Sequence, residues 1–189
     1  LFPPDGEVIH PDGHAVGPRA DDRRILLWSR AGWTDVDRVG HPELPHAGFV
    51  SGVTETPLGE VTIVGVCIPW HMAGVLHGAK DRRPWQEHLR YLEGLAEILA
   101  ARDRARPTIV VGDFNQRIPH SWSPVHVYDA LVRTFACFEL ATAGHLDQDR
   151  PERGVDHLAH DASLRSSSVR AEPGHEPAHD RISLTLDLA

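Results

Sequence analysis

Short apolar runs recur along the chain at the length of β-strands. The strongest is Val61–Ile68, which is apolar and rich in β-branched residues on both faces and therefore indicates a central strand covered on both sides. The run Gly48–Thr56 precedes it, and the turn residues Pro57–Glu60 between the two predict a β-hairpin. Alternating apolar and polar residues over Ile182–Leu188 predict a half-buried antiparallel strand at the end of the chain. Further short strands are predicted at 25–29, 108–111, 155–159 and 164–169.

Two other segments have sequence signals that are typical of α-helices. Pro84 is well placed to open the first helix, which we expect to run to about Arg104 because apolar residues recur there every three or four positions. Ser123 is a favourable N-cap that is followed by proline, and it predicts a second helix running to about Phe135. Residues 1–24 are rich in proline, glycine, aspartate and arginine and show no periodicity, so we expect a loop or an extended segment there.

These elements predict one domain that covers residues 1–189. Strands outnumber helices and the helices fall between strands, which is typical of a layered α/β (α+β) domain with mixed sheets. Hydrophobic residues make up 41% of the chain and charged residues 24%, which excludes a disordered, collagen-like or coiled-coil chain. No apolar run approaches the roughly 20 residues that span a bilayer, and we find no signal-peptide pattern, so we expect a soluble protein. Its compartment and oligomeric state stay open.

The net charge of the chain limits the kinds of molecule that it is expected to bind. The formal net charge is −8, whereas proteins that bind duplex DNA mainly through its phosphates are usually basic. Such binding would need a local basic patch, a metal ion or a smaller substrate. The 14 histidines are unusual in number but scattered along the chain, with no run of the kind that forms a metal-binding tract.

Four segments place a carboxylate or an imidazole at the end of a predicted strand. In the first, Gly112–Asn115, Asp113 and Asn115 would point the same way if the chain stays extended. The other three are Ile68–His71, Gly154–His157 and His179–Arg181. Ligands of open sheets bind at strand ends, and a convergence of carboxylates with imidazoles suits a divalent-metal hydrolase. Taken alone, each segment is more typical of an ordinary turn or of a solvated or core histidine.

The order of these segments resembles the endonuclease/exonuclease/phosphatase superfamily, which includes DNase I-like nucleases, exonuclease III-like repair enzymes, sphingomyelinases and inositol phosphatases. Gly112–Asn115 matches the GDFN motif of that family, Gly154–His157 is similar to its Ile-Asp-His segment, and Asp180 with the last strand is similar to its Ser-Asp-His terminus. The resemblance covers roughly residues 25–189. It implies a DNase I-like layered sandwich of two mixed β-sheets flanked by helices, N-terminally incomplete because the family's first strand-helix-strand unit and its metal-binding glutamate are not found.

The resemblance also implies an activity, that of a divalent-metal-dependent phosphoesterase, most often a phosphodiesterase or nuclease, in which water attacks phosphorus in line. Asp113 would orient or deprotonate the water or hold a metal, and Asn115 would position the water and contact the phosphate. His71 would contact a phosphate oxygen or help to protonate the leaving group. Asp180 would be a metal-side carboxylate, and Asp156 would orient the family's last histidine. The implied cofactor is Mg²⁺ or Mn²⁺, held by Asp113, Asn115 and Asp180.

The terminal histidine is where this sequence departs from the family. The hydrophobic spacing of the last strand puts Arg181 at its place, whereas His179 precedes Asp180, and a shift of one residue on a strand turns a side chain to the other face. A loop there would let His179 reach the site; otherwise Arg181 could bind a phosphate. Arg117 and His120 follow the GDFN motif in a loop that often touches substrate in the family, so they and Arg181 are candidate substrate-binding residues.

Three functional interpretations therefore stay open. The first is the phosphoesterase, whose substrate could be a nucleic acid, a phospholipid headgroup or a small phosphate ester. The second is a degenerate family member that binds a phosphorylated ligand or a partner without catalysis, favoured by the missing glutamate and the displaced histidine. The third is an unrelated histidine-rich metal-binding module. It would keep its metal affinity after the loss of Asp113, whereas the first two depend on Asp113 and Asp180.

Overall fold

The computed structural model describes residues 2–12, 24–44, 48–75, 82–144, 154–173 and 179–189. Within these ranges the chain forms ten strands and two helices. The strands are β1 (Glu7–Ile9), β2 (Leu27–Ser29), β3 (Thr34–Asp37), β4 (Phe49–Thr56), β5 (Gly59–Cys67), β6 (Thr108–Asp113), β7 (Phe138–Leu140), β8 (Asp156–Asp161), β9 (Leu164–Pro173) and β10 (Asp180–Leu188). The helices are α1 (Gln86–Ala101) and α2 (Val125–Thr134).

The largest sheet has six strands in the order β3-β4-β5-β6-β8-β7. β5 and β6 are parallel and are connected through α1, as a parallel pair requires, while the other neighbours are antiparallel. The predicted hairpin is confirmed, since β4 and β5 pair along their whole length up to Thr56 and Gly59. Among the described residues, β1–β2 and β9–β10 form two further antiparallel sheets of two strands each.

Both faces of the six-stranded sheet are covered. On one face, side chains such as Val64, Val66 and Val110 belong to a buried cluster with residues of α1 and α2. On the other face, Ile63 and Val111 pack against buried residues of β1 and β2. Alternate residues of β5 therefore serve two separate cores, as its continuous apolar sequence predicted. The layered α/β (α+β) architecture with a mixed sheet is confirmed.

Several details differ from the predicted elements for local reasons. α1 ends at Ala101 because Arg102 takes an extended conformation (φ −60°, ψ 152°). Ser123 does not cap α2; its hydroxyl donates to Gln116 Oε1 (3.1 Å), and Pro124 occupies the N-cap position. Within residues 1–24, Glu7–Ile9 is a strand paired with β2. The short strands β3 and β7 were not predicted either. No helix in the described ranges is long and apolar enough to cross a membrane.

Candidate active site

The ends of three neighbouring strands meet at one edge of the six-stranded sheet. β5 and β6 run parallel and end there, and the antiparallel β8 begins there. Asp113, the last residue of β6, is paired with Cys67 of β5 on one side and with Asp156 of β8 on the other. Ile68 N then donates to Asp113 O (2.8 Å). This edge brings together three of the four segments that the sequence singled out, and the fourth reaches the same cleft through His179.

The backbone around Gly112 sets the course of the GDFN segment. Gly112 has a φ of +141°, and a Cβ at this position would lie 2.0 Å from Val66 O, so only glycine fits between β5 and the turn. Asn115 has a φ of +49°, a left-handed conformation that asparagine tolerates better than most residues. The intervening Phe114 is fully buried, and Asp113 and Asn115 both line a cleft at the sheet edge.

Asn115 holds the carboxylate of Asp113 in place. Its backbone N donates to Asp113 Oδ1 and its Nδ2 to Asp113 Oδ2, both over 2.8 Å. Nδ2 also donates to Ile68 O (2.8 Å), so both amide protons are used inside the protein. Oδ1 is thus the Asn115 side-chain atom with the chemistry to accept a hydrogen bond from water or to bind a cation. The phosphate contact that the resemblance implied for Asn115 would require Nδ2 to leave these partners.

The environment of Asp113 raises its pKa to about 6, from an ordinary value of 3.8. The main cause is burial, and the nearby charge of Asp156 adds to it. The hydrogen bonds from Asn115 and the charge of His179 oppose the rise. Carboxyl groups whose pKa is displaced toward neutrality by burial and a neighbouring charge are common at catalytic sites, where proton exchange is needed.

Asp156 and His179 form a hydrogen-bonded pair in the same cleft. His179 Nδ1 lies 2.9 Å from Asp156 Oδ2 and 3.1 Å from Oδ1. The Asp156 side chain is 20% exposed and that of His179 is 44% exposed. A carboxylate at Nδ1 selects the tautomer with the proton on Nδ1, which leaves the basic lone pair on Nε2. An Asp–His pair of this kind orients an imidazole for general acid–base catalysis.

The structure thus places His179, rather than Arg181, beside Asp156. His179 precedes β10, so strand alternation does not decide where its side chain points. Arg181 lies within β10 opposite Glu172; its side chain is 72% exposed, 3.9 Å from that of Glu172, and outside the cleft lining. Asp180 begins β10 and pairs with Pro173 along the backbone, and its side chain lies outside the described part of the structure.

The cleft has a volume of about 640 Å³. Its polar lining includes Asp113, Asn115, Asp156 and His179, and Arg24 is the only residue with a permanent positive charge among the described residues that line it. Sequence reasoning missed Arg24 because it falls in a segment without any periodic signal. The full lining is Arg24, Ile25, Leu26, Leu27, Val66, Cys67, Ile68, Trp70, Val111, Gly112, Asp113, Asn115, Asp156 and His179.

Cys67 lines the cleft but is unsuited to act as a nucleophile. Burial, and then the negative charge of Asp113, raise the pKa of its thiol to about 11. The thiolate is the reactive form of cysteine, so this side chain stays protonated and unreactive at neutral pH.

A buried polar network centred on Gln116 supports the GDFN turn. The side chains of Gln116 and His88 are both fully buried. Gln116 Nε2 donates to His88 Nε2 (2.8 Å) and to Val127 O (3.2 Å), while its Oε1 accepts from Ser123 Oγ (3.1 Å). His88 Nδ1 in turn donates to Pro69 O (2.7 Å). These partners require a neutral His88, and burial lowers its pKa to about 4.

His157 extends this network from β8. Its Nε2 donates to the backbone O of Gln116 (3.0 Å), and its Nδ1 lies 2.9 Å from Thr142 Oγ1. Burial lowers its pKa to about 4, against the backbone carbonyls of Gln116 and Gly154, which raise it. The histidine next to Asp156 in the sequence is thus a core residue that fixes the loop directly after Asn115. Hydropathy offers no signal that distinguishes such a histidine from an exposed one.

The remaining predicted site residues lie beside the cleft lining rather than in it. His71 packs among tryptophan rings and is not part of the lining. His120 Nε2 donates to Ser123 O (2.7 Å), and its ring lies 4.8 Å from that of Tyr128. Arg117 is half-buried, and within the described structure its buried Nε has no hydrogen-bond partner. These three residues therefore do not contact the carboxylates at the sheet edge directly.

The donors in the cleft suit an open metal site rather than a closed one. In the described ranges, no group of three or more His, Cys, Asp or Glu residues is positioned to hold a metal ion. Mg²⁺, however, is often bound by only one or two carboxylates together with water and substrate phosphates. Asp113 and Asn115 bring hard oxygen atoms to the cleft, and a cation bound there would relieve the repulsion between the carboxylates of Asp113 and Asp156. The residues present therefore fit Mg²⁺ or Mn²⁺ bound in this open manner.

Comparison with known proteins gives matches in structure only. No protein-family model matches the sequence, and no curated protein matches it. An endonuclease/exonuclease/phosphatase family protein from Leptotrichia buccalis is similar with a TM-score of 0.62 and 12% identity, over 97% of this chain and 72% of that one. A 3'-5' exonuclease from Neisseria meningitidis is similar with a TM-score of 0.59 and 16% identity, over 86% and 74%. An endonuclease/exonuclease/phosphatase from Beutenbergia cavernae gives a TM-score of 0.55 and 13% identity, over 86% of this chain and 47% of that one.

The chain has the fold of endonuclease/exonuclease/phosphatase proteins. The resemblance carried by the GDFN motif and the predicted DNase I-like sandwich are therefore confirmed at the level of the fold. The chain spans about half of the Beutenbergia cavernae protein and about three quarters of the other two.

Proposed function

We propose that this chain is a phosphoesterase of the endonuclease/exonuclease/phosphatase family that hydrolyses phosphodiesters. One observation carries the proposal: Asp113, Asn115, Asp156 and His179 converge in a single cleft at the strand ends of this fold. Strand ends are where ligands bind in open α/β sheets. A protein of similar fold from Neisseria meningitidis is a 3'-5' exonuclease.

The residues of the cleft divide the chemistry among them. His179 Nε2 takes a proton from water while the water oxygen forms its bond to phosphorus, and Asp156 stabilises the resulting imidazolium. The bond between phosphorus and the leaving oxygen breaks, and that oxygen is protonated by His179 or by water. Asp113, held by Asn115, orients the attacking water. Arg24 offers a guanidinium to the phosphoryl oxygens, a role that suits its fork of donors.

The proposed cofactor is Mg²⁺ or Mn²⁺. Asp113 and the Oδ1 atom of Asn115 would hold it, with Asp180 as the third ligand that the resemblance implies. When bound, the ion would neutralise negative charge that builds up on the phosphoryl group. Since three protein oxygen ligands are fewer than such ions need, water and the substrate would complete the coordination.

A second candidate function is binding of a phosphorylated ligand without catalysis. The observation that favours it is that the described residues contain no cluster of three or more metal-binding side chains. The placement of His179 beside Asp156 weighs against it, because an Asp–His pair serves proton transfer, which a binding protein does not need.

Hydrolysis of bis(4-nitrophenyl) phosphate tests the proposal. The purified chain is assayed with Mg²⁺, with Mn²⁺ and with a chelator, beside Asp113→Asn and the matched control Asp129→Asn, which changes an exposed aspartate of α2. We expect metal-dependent turnover that falls at least about 100-fold in Asp113→Asn and is unchanged in Asp129→Asn. Absence of turnover in a folded wild-type chain that still binds a phosphate ester would support the non-catalytic function instead.

A further inference from the structure

A cluster of aromatic rings lies beside the cleft and has no part in the chemistry described above. This aromatic cluster consists of Trp70, His71, Trp85 and Trp122. The His71 ring lies 5.3 Å from that of Trp70, 5.6 Å from Trp85 and 5.2 Å from Trp122, measured between ring centroids. Trp85 is 8% exposed and forms the base of the cluster, while Trp70 and Trp122 are 38% and 46% exposed.

The cluster is continuous with the cleft. Trp70 lines the same cleft as Asp113 and Asp156, and it follows β5 at the edge where the strand ends meet. Ile68, two residues before Trp70, accepts the hydrogen bond from Asn115 Nδ2. If the phosphodiester of a substrate occupies the cleft, the neighbouring part of that substrate would therefore contact the exposed indole of Trp70.

The chain maintains the cluster at an energetic cost. Trp85 has a φ of +69°, a left-handed conformation that is rare for a bulky residue. Its backbone N donates to His71 O (2.7 Å), which ties together the two backbone segments that carry these rings. Residues held in such a conformation destabilise the chain locally and concentrate at functional sites.

We propose that the aromatic cluster is a base-binding platform, on which Trp70 and Trp122 stack against the bases of a single-stranded nucleic acid. This inference rests on the proposed function, because the phosphodiester of the same strand would lie in the cleft. Stacking on aromatic side chains is how proteins hold unpaired bases with little regard to sequence. The net charge of −8 disfavours contact with the phosphates of any nucleic acid, so the affinity in this proposal comes from stacking on the rings.

Binding to labelled oligonucleotides tests the platform without requiring turnover. Fluorescence anisotropy is measured in chelator at low salt with a single-stranded adenine oligonucleotide of about ten nucleotides, within the usual site size, and with an abasic strand of the same length. The variants are Trp122→Ala, Trp122→Phe and the control Val132→Ala, which truncates an apolar side chain of α2 that is 44% exposed.

We expect the adenine strand to bind more tightly than the abasic strand. Trp122→Ala should weaken the binding of the adenine strand about 10-fold and leave the abasic strand unaffected, since one lost base stack has roughly that effect. Trp122→Phe should retain most of the affinity, and Val132→Ala should bind like the wild type.

Equal affinity for the two strands, or an unchanged affinity in Trp122→Ala, would overturn the platform. So would cosedimentation with phosphatidylcholine vesicles that Trp122→Ala abolishes, since the cluster would then face a lipid surface. The same experiments distinguish failure of this inference from failure of the proposed function. Base-dependent binding without phosphodiester hydrolysis would support the base-binding platform and contradict only the proposed catalytic activity.

Discussion

Acidification should destabilise this fold because two buried histidines, His88 and His157, must stay neutral in it. Burial lowers the pKa of each from 6.5 to about 4. As the pH falls below 6.5, the unfolded chain takes up protons at these residues that the folded chain does not take up until about pH 4. The contribution of these two histidines to the free energy of unfolding therefore falls through this window and levels off below it.

The size of the effect follows from these values. Between pH 7 and pH 5, each histidine should lower the free energy of unfolding by about 2 kcal/mol, or about 4 kcal/mol for the two together. Asp113 acts in the opposite direction, because its pKa is raised to about 6 in the folded state and it stabilises the fold as the pH drops. Its contribution over the same interval is about 1 kcal/mol, which leaves a net loss of roughly 2 to 3 kcal/mol.

Urea unfolding, followed by circular dichroism at pH 7 and pH 5, measures this loss in the free energy of unfolding. A chelator is present so that metal binding does not contribute. The informative variant is His157→Gln, whose amide can still donate to Gln116 O but does not titrate. We expect it to be less stable at pH 7 and to lose about 2 kcal/mol less than the wild type on going to pH 5. His126→Gln, at an exposed position of α2, is the control and should behave like the wild type. Equal losses in His157→Gln and wild type would refute the claim that His157 is kept neutral by burial.

Three further predictions concern the site and its support. Gly112→Ala should lower the free energy of unfolding by more than about 3 kcal/mol in urea titrations, because the new Cβ would meet Val66 O at 2.0 Å; a loss under about 1 kcal/mol would contradict this. Phe114→Ala should cost about 3–5 kcal/mol in thermal or urea unfolding, since the ring is fully buried and stacked on Phe135 at 4.8 Å. His179→Asn should reduce phosphodiester turnover at least about 100-fold while its unfolding curve stays close to that of the wild type; retained turnover would exclude it as the base.

Much of the sheet could be predicted because its strands carry strong local signals. β4 and β5 are long, apolar and joined by turn residues, so the hairpin and its central position follow from the pattern alone. β6 was predicted two residues short, since the pattern does not show that Gly112 and Asp113 continue the pairing. β1, β3 and β7 have only three or four residues each, and strands of that length form because a partner is already in place.

The candidate site was predictable in its carboxylates but not in its geometry. The GDFN motif marks Asp113 and Asn115, and register pairing then brings Asp156 to Asp113. The position of His179 depends on where β10 begins, which alternation cannot specify to a single residue. Arg24 reaches the cleft from an aperiodic segment, so only the tertiary structure reveals it.

The buried polar residues that support the site could not be predicted from the sequence either. His88 and Gln116 are polar residues in the core, and only their mutual hydrogen bonds make that burial tolerable. Trp85 lies in a left-handed conformation at the start of α1, where the sequence predicted an ordinary helix opening after Pro84. Both features lie next to the cleft, where local sequence preference yields to the geometry of the site.

The proposed attack of water on phosphorus can be tested by hydrolysing bis(4-nitrophenyl) phosphate in ¹⁸O-labelled water and analysing the products by mass spectrometry. We expect the wild-type chain, supplied with Mg²⁺ or Mn²⁺, to release 4-nitrophenol without label and 4-nitrophenyl phosphate with one labelled oxygen. Label in the nitrophenol would place the attack at carbon and contradict the mechanism. A folded chain that releases no product with either metal would contradict the proposed activity itself.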